Sequence, residues 1–391
     1  MATVHVINGR QRKLIEGHPW VYRNEIEKIE GDIVPGEIVD VVDFRCKFIG
    51  RGFINPVSLL TVRLLTRKNE EITPQIIEQR VKNAIEYRKY FQRKDTDCAR
   101  IIFGEADLLP GVIADQFGDV IVLQTLALGM RQFENIIADT LISVLSPKSL
   151  ILRNDEPIRE KEGMELIRKV YYGDEVRKTI INENGIKLQV DVFSGQKTGY
   201  FLDQKANHRR IGAFVQGKRV LDCFTYTGAF AMNAAKHGAK EVLAVDISQD
   251  AIEMAKENAI LNGFDQITFE TANAFDKLRS LGKEKRMFDV IVLDPPAFTK
   301  SKAALAGAIR GYKEINLSAM KLLPPKGILA THSCSYHMPE SLFVETVLSA
   351  AHDLRRQVRI IDLCKQDHDH PVLSGYPESH YLKSLWLEML D

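Results

Sequence analysis

Beyond residue 220 the chain alternates strand-like runs, at 220–223, 241–246, 267–270, 289–294, 327–332, 358–364 and 380–388, with amphipathic helical stretches at 229–237, 249–261, 273–281, 309–322 and 340–351. Short strands separated by helix-length segments specify a doubly wound parallel sheet, because parallel neighbours need a crossover and a helix is the usual one. The expectation is an α/β layer of seven strands. Open sheets of this kind bind ligands outside the carboxyl ends of their strands, so the residues that end strands are the ones to read for chemistry.

The 391 residues exceed one ordinary core and suggest two or three domains. Short β-runs at 38–42, 48–53 and 59–65, broken by Gly31, Pro35-Gly36, Gly50 and Asn55-Pro56, read as a small β-barrel over 1–72. A middle α+β domain is expected over 73–190, with Asn184-Gly185 as a hairpin turn, and the sheet domain over 191–391. At 74–94, Ile76, Ile77, Val81 and Ile85 recur at helical spacing beside Arg80, Lys82, Arg88, Lys89 and Arg93. That basic face reads as a solvated surface or as an RNA contact. A net charge of +1 excludes a uniformly basic nucleic-acid binder, so any such contact rests on local patches. Cysteines at 46, 98, 223, 334 and 364 are odd in number and form no C-x-x-C pair, which fits neither a disulfide scaffold nor a zinc site. The apolar run at 120–130 is too short to span a bilayer. A reduced, cytoplasmic protein without membrane contact or bound metal is expected.

The first strand of the sheet runs into Asp222-Cys223-Phe224-Thr225-Tyr226-Thr227-Gly228, which opens directly into a helix. Glycine at such a turn lets a ligand approach the backbone. The loop lacks G-x-G-x-x-G, so a pyrophosphate cradle is not expected. Asp222 before the loop and Asp246 at the next strand end suit a nucleoside without phosphates instead. Asp246 stands near the roughly 20-residue offset at which a carboxylate takes ribose hydroxyls; capping the following helix is its other role. Asn273 ends the third strand pattern and offers an adenine edge both donor and acceptor, with helix N-cap as the competing role. Upstream, Lys197-Thr198-Gly199-Tyr200-Phe201-Leu202-Asp203-Gln204 combines aromatics, a glycine turn and polar groups. Tyr200, Asp203 and Gln204 are candidates to close over one end of the ligand, with Phe224, Tyr226 and Gly228 lining it from the loop.

Asp294-Pro295-Pro296-Ala297-Phe298 closes the apolar strand 290–293, and His332-Ser333-Cys334-Ser335 closes the next. An acid and two prolines make a rigid, carbonyl-lined turn at the sheet edge. A cysteine beside that acid points to methyl transfer onto a nucleobase. Carbon 5 of cytosine is a poor nucleophile, and thiolate attack at carbon 6 turns the ring into an enamine that accepts a methyl cation equivalent. Cys334 is the expected nucleophile. Asp294 would hold the N3/N4 edge of an extruded base, the Pro295 carbonyl would fix its amine and Phe298 would pack on the ring. His332, two residues before Cys334 on a strand, is a further candidate to tune the thiol or take the C5 proton. Lys300, Lys302, Arg310 and Lys313 are candidates to hold phosphates.

Taken in order, these motifs resemble the PUA-domain 5-methylcytosine methyltransferases of large-subunit ribosomal RNA over nearly the whole chain. His18-Pro19-Trp20-Val21-Tyr22 is similar to that family's N-terminal signature, Phe103-Gly104-Glu105-Ala106-Asp107-Leu108-Leu109-Pro110-Gly111 to its middle domain and 197–204 to its motif before the sheet. Asp294 to Phe298 and Ser333-Cys334-Ser335 resemble its catalytic motifs. The resemblance implies S-adenosyl-L-methionine as cofactor, a seven-stranded methyltransferase sheet, an RNA-binding PUA-like barrel, ribosomal RNA as partner and Cys334 as nucleophile; a homodimer is compatible with it. Two features depart from the pattern. Asn273 stands where related enzymes often carry an aspartate for the adenine, and Pro296 and Ala297 stand where other RNA cytosine-5 methyltransferases carry a second cysteine that assists release. Two other readings stay open: methylation of an exocyclic amine of guanine or adenine, which would not need Cys334, and an RNA-binding assembly factor without turnover.

Overall fold

A computed structural model describes residues 1–299 and 301–391, the Lys302 side chain excepted. The chain divides into two compact units: Met1–Ile180 with Val190–Leu202 and His368–Ser379, and Ile181–Gln189 with Asp203–Asp367 and His380–Asp391.

The first unit holds two sheets. One has six strands, in the order Trp20–Tyr22, Leu60–Thr66, Phe48–Ile54, Ile38–Val42, Thr3–Val6 and Ile26–Glu30. Its buried side is β-branched and aliphatic, including Val4, Val6, Val39, Val41, Ile54 and Val62. The other has five strands, in the order Ile167–Gly173, Ser149–Asn154, Val120–Thr125, Val112–Phe117 and Cys98–Phe103. Helices Pro74–Lys89 and Glu134–Leu145 contribute Ile77, Val81, Ile85, Ile137 and Leu141 to the core it shares. The basic residues of helix Pro74–Lys89 are largely engaged inside this unit. Arg80 donates to the Leu65 and Leu108 carbonyls at 2.6 Å each, Arg88 is buried and grips Asp107 at 2.5 and 2.7 Å, and Lys82 and Lys89 pair with Glu78 and Glu86.

Motifs 18–22 and 103–111 meet in this unit. Trp20 Nε1 donates to Glu105 Oε1 at 2.7 Å, and Arg63 Nη1 reaches the same oxygen at 3.1 Å. The returning segment His368–Ser379 adds the Tyr376 ring, 4.8 Å from that of Trp20, and the Glu378 carboxylate, 3.3 Å from His18 Nε2.

The second unit is the alternating region. Its strands are β1 (Arg219–Cys223), β2 (Glu241–Asp246), β3 (Ile267–Thr271), β4 (Val290–Leu293), β5 (Ile328–Ser333), β6 (Val358–Cys364) and β7 (Lys383–Met389). Its main helices are α1 (Ala229–Lys236), α2 (Gln249–Asn262), α3 (Ala274–Lys283), α4 (Leu305–Met320) and α5 (Glu340–Asp353). The sheet order is β3-β2-β1-β4-β5-β7-β6. Right-handed crossovers in that order put α1 and α2 on one face and α3, α4 and α5 on the other. Leu278, Ala308, Tyr312, Ile315, Phe343 and Val347 from the second group share one core with Leu221, Ile291 and Leu329 of the strands.

The expectation of a wholly parallel sheet is corrected at one strand. β7 runs antiparallel to both its neighbours, β5 and β6. No α-helix lies between β6 and β7, and antiparallel neighbours need no crossover helix. The reversal sets the amino end of β7, at Lys383, opposite Ser333 at the carboxyl edge of β5. Among the described residues no helix is long and apolar enough to cross a membrane.

Candidate active site at the carboxyl edge of the sheet

Asp222 lies fully buried near the end of β1. Its Oδ2 accepts Thr225 Oγ1 at 2.5 Å and the Ala231 amide at 3.0 Å, which ties the loop to the first turn of α1. Its Oδ1 has no partner among the described residues, and burial pushes this carboxyl up to about 7. Phe224, Tyr226 and Gly228 all take left-handed backbone, at φ 65°, 49° and 91°. A Cβ on Gly228 would stand 3.0 Å from Met232 Cε and 3.3 Å from Ala255 Cβ. Glycine is favoured here by conformation, and a Cβ would require the Met232 tip and Ala255 to give way slightly. Asp246 Oδ2 accepts the Tyr226 amide and Oδ1 the Ser248 amide, each at 2.9 Å. Asn273 is exposed and caps α3, its side-chain oxygen accepting the Phe275 amide at 2.9 Å. That bond leaves the Asn273 amide nitrogen outside the cap. A glycine-turned loop, a buried carboxylate oxygen without a partner and a strand-end carboxylate fit a ribonucleoside group.

Asp294 follows β4 and is half-buried, its amide donating to the Cys223 carbonyl at 3.4 Å. Its Oδ1 accepts Gln204 Nε2 at 2.9 Å, and Gln204 Oε1 accepts Asn207 Nδ2 at 2.7 Å. Burial, then the neighbouring Asp203 carboxylate, pushes Asp294 up to about 7. Asp203 is buried and accepts the Tyr381 hydroxyl at 2.6 Å. Of the residues read upstream of the sheet, Asp203 and Gln204 thus gather at Asp294, whereas Tyr200 is buried and belongs to the first unit. Pro295 is buried and Pro296 exposed. The Phe298 ring lies 4.6 Å from that of Tyr312 and 5.9 Å from that of Phe275, packed over α4 and α3.

Cys334 comes directly after β5 and is half-buried. Its turn is held from two sides. Ser333 Oγ donates to the Tyr312 hydroxyl at 2.8 Å, and Ser335 Oγ lies 3.0 Å from the same hydroxyl. From β7, Lys383 Nζ donates to the Ser335 and Tyr381 carbonyls at 2.7 Å each. Burial pushes Tyr312 up to about 12 and Lys383 down to about 8, the latter opposed by Cys334 and Glu340.

His332 differs from its expectation. β5 ends at Ser333, so the face alternation linking His332 to Cys334 stops there. The His332 ring is fully buried between those of Phe230, at 5.2 Å, and Trp386, at 6.2 Å, and burial pushes it down to about 3. Cys223 is also fully buried, its thiol pushed up by burial. Of the candidate phosphate contacts, Lys300 and the Lys302 side chain lie outside the described residues, Arg310 is exposed, and Lys313 pairs with Asp353 at 2.8 Å. Sequence reasoning missed Tyr312, Tyr381 and Lys383. Tyr312 carries only the spacing of a core helix residue, and the other two gain their positions from a strand reversal that no local pattern announces.

The sheet order with its reversed β7, the left-handed loop after β1 and the acid that ends β2 define an S-adenosylmethionine-dependent methyltransferase. Residues 161–362 match the family of that description, and residues 4–67 match a PUA-like domain. Ribosomal RNA large subunit methyltransferase I of Cronobacter sakazakii is 41% identical, the alignment covering 96% of each chain. The Vibrio campbellii protein of the same name is 38% identical over the full length of both. The chain belongs to the ribosomal RNA large subunit methyltransferase I family, as the order of its motifs had implied. A solved structure from Streptococcus mutans, described as a SAM-dependent methyltransferase, shares the fold at a TM-score of 0.86 with 21% identity, covering 99% of this chain and 100% of that one.

Proposed function

We propose that this methyltransferase acts in the cytoplasm on carbon 5 of a cytosine in large-subunit ribosomal RNA, through a covalent adduct of Cys334. The carrying observation is that Asp294 and Cys334 follow adjacent parallel strands, paired in register at Leu293 and Thr331, on the carboxyl edge of a methyltransferase sheet. S-adenosylmethionine, when bound, supplies an electrophilic methyl group. Asp246 would take its ribose hydroxyls, Asn273 its adenine edge, and Asp222, Phe224, Tyr226 and Gly228 would shape the loop around it. Asp203 and Gln204 are assigned to its other end, with Gln204 also orienting Asp294.

The Cys334 thiolate forms a bond to C6 as the C5–C6 π bond opens, and Asp294 in its protonated form donates to N3 and stabilises the negative charge pushed onto the ring. Carbon 5 takes the methyl group. Its hydrogen then leaves as a proton to water, the freed electron pair restores the C5–C6 double bond, the C6–S bond breaks and the thiolate is regenerated. The Pro295 carbonyl would accept from the cytosine amine, and Phe298 would pack on the ring. The PUA-like domain is assigned to RNA binding.

The test is nucleoside mass spectrometry of unmodified large-subunit ribosomal RNA transcripts, and of assembled particles, after incubation with the full chain and methyl-deuterated S-adenosylmethionine. Labelled 5-methylcytidine is expected. Label in a methylguanosine or methyladenosine would transfer the function to an exocyclic amine, and no label in either substrate would favour an assembly role without turnover.

A further inference from the structure

Lys383 is 3% exposed, and two of its three ammonium hydrogens are taken by the Ser335 and Tyr381 carbonyls at 2.7 Å. A buried ammonium is costly unless an anion compensates it. The charged and titratable groups around it come from four places: Cys334 after β5, Tyr312 on α4, Glu340 at the start of α5, and His380 and Tyr381 before β7. Tyr312 is held neutral by burial. Glu340 is exposed and lies 3.8 Å from His380 Nε2, so solvent weakens its hold on Lys383. The Cys334 sulfur is the remaining group that can carry a compensating charge.

We propose that Lys383 is a positioning residue for this reaction, its buried ammonium favouring the thiolate of Cys334 while its bond to the Ser335 carbonyl fixes the turn that presents the sulfur. The assignment rests on the reading of Cys334 as nucleophile. It also bears on release. When the sulfur bonds to C6 its negative charge moves into the ring and Lys383 loses its counter-charge, so elimination that restores the thiolate also restores the ion pair. A chain with Pro296 and Ala297 in place of a second cysteine has this device available within its own site.

The test is the pH dependence of Cys334 alkylation by iodoacetamide, read on the Cys334 peptide by mass spectrometry in the full chain, with exposed Cys46 as internal standard. In Lys383→Gln, which keeps a donor to Ser335 but no charge, the alkylation midpoint moves up by about one unit or more, as for a lost opposite charge at short range. Lys383→Arg keeps the midpoint at or below that of the wild type. An unchanged midpoint in Lys383→Gln overturns the proposal, as does an equal upward move in both variants, which would mark a geometric clamp only. Should Lys383→Gln fail to fold, the arginine variant decides. Its guanidinium stays charged where the ammonium, near 8, is lost, so its thiol titrates in one steeper step than the broadened coupled curve of the wild type; coincident curves overturn the proposal. The readout needs neither RNA nor methyl transfer. A Lys383-dependent thiolate in a chain that makes no 5-methylcytidine would reject the functional reading alone, and 5-methylcytidine formation with an unmoved alkylation profile would reject the positioning role alone.

Discussion

Asp294 and Cys334 carry different electrostatic demands, and the residues around them set those demands apart. Burial, and then the neighbouring Asp203 carboxylate, keep the Asp294 proton on up to about 7, against the opposing hydrogen bond from Gln204. The acid form is the one that can donate to N3; it is full well below 7 and is lost as pH rises through 7. A thiolate nucleophile has the opposite dependence, so kcat/KM should be bell-shaped. Asp294→Asn should remove the falling limb and lower the rate by roughly 10²–10³-fold, a loss in the range of single transition-state donors, measured as a rate–pH profile. Cys334→Ala should lower turnover by at least about 10³-fold while cofactor binding by calorimetry stays near that of the wild type, because the proposed mechanism asks the thiol only for chemistry. The strand-end positions of both residues were legible in the sequence, since each follows an unmistakable apolar strand. Gln204 was legible as a site residue, but its bond to Asp294 spans 90 positions and has no periodic trace.

At the scale of the element, the β1–α1 turn concentrates the constraint. Three left-handed residues in five positions are held by hydrogen bonds to the Asp222 and Asp246 carboxylates. Gly228→Ala would put a Cβ into a conformation that costs an L-residue roughly 1–2 kcal/mol, with Met232 Cε already at contact distance. Cofactor affinity is expected to fall about ten-fold, with a lower melting temperature; unchanged calorimetric affinity would mean that the loop does not shape the site. Strand and helix positions of this unit were legible because periodicity and strand ends are local properties. The direction of β7 was not. Strand polarity depends on how the chain returns to the sheet, and the stretch between β6 and β7 leaves the unit for a dozen residues before coming back.

At the scale of the whole molecule, that excursion matters to the first unit. Segment His368–Ser379 gives it the Asp369 side chain, which accepts the Arg100 amide at 2.9 Å, the Asp369 carbonyl, which accepts Arg88 Nη2 at 2.9 Å, and the Tyr376 ring against Trp20. A fragment ending at Leu202 lacks all three. Each buried polar group left without its partner costs roughly 1–3 kcal/mol, so the fragment should melt well below the same fragment carrying 368–379 on a flexible tether, by circular dichroism. Equal melting temperatures would mean that the segment rides on a finished unit. Composition places domain boundaries where linkers look weak, but here the polypeptide passes between units at 180, 189, 202, 367 and 379. A ribosome adding roughly 5–20 residues per second needs on the order of ten to several tens of seconds to go from Leu202 to Ser379. During that interval the first unit waits incomplete, with the sites for its last segment uncovered, so its completion follows synthesis of most of the catalytic sheet.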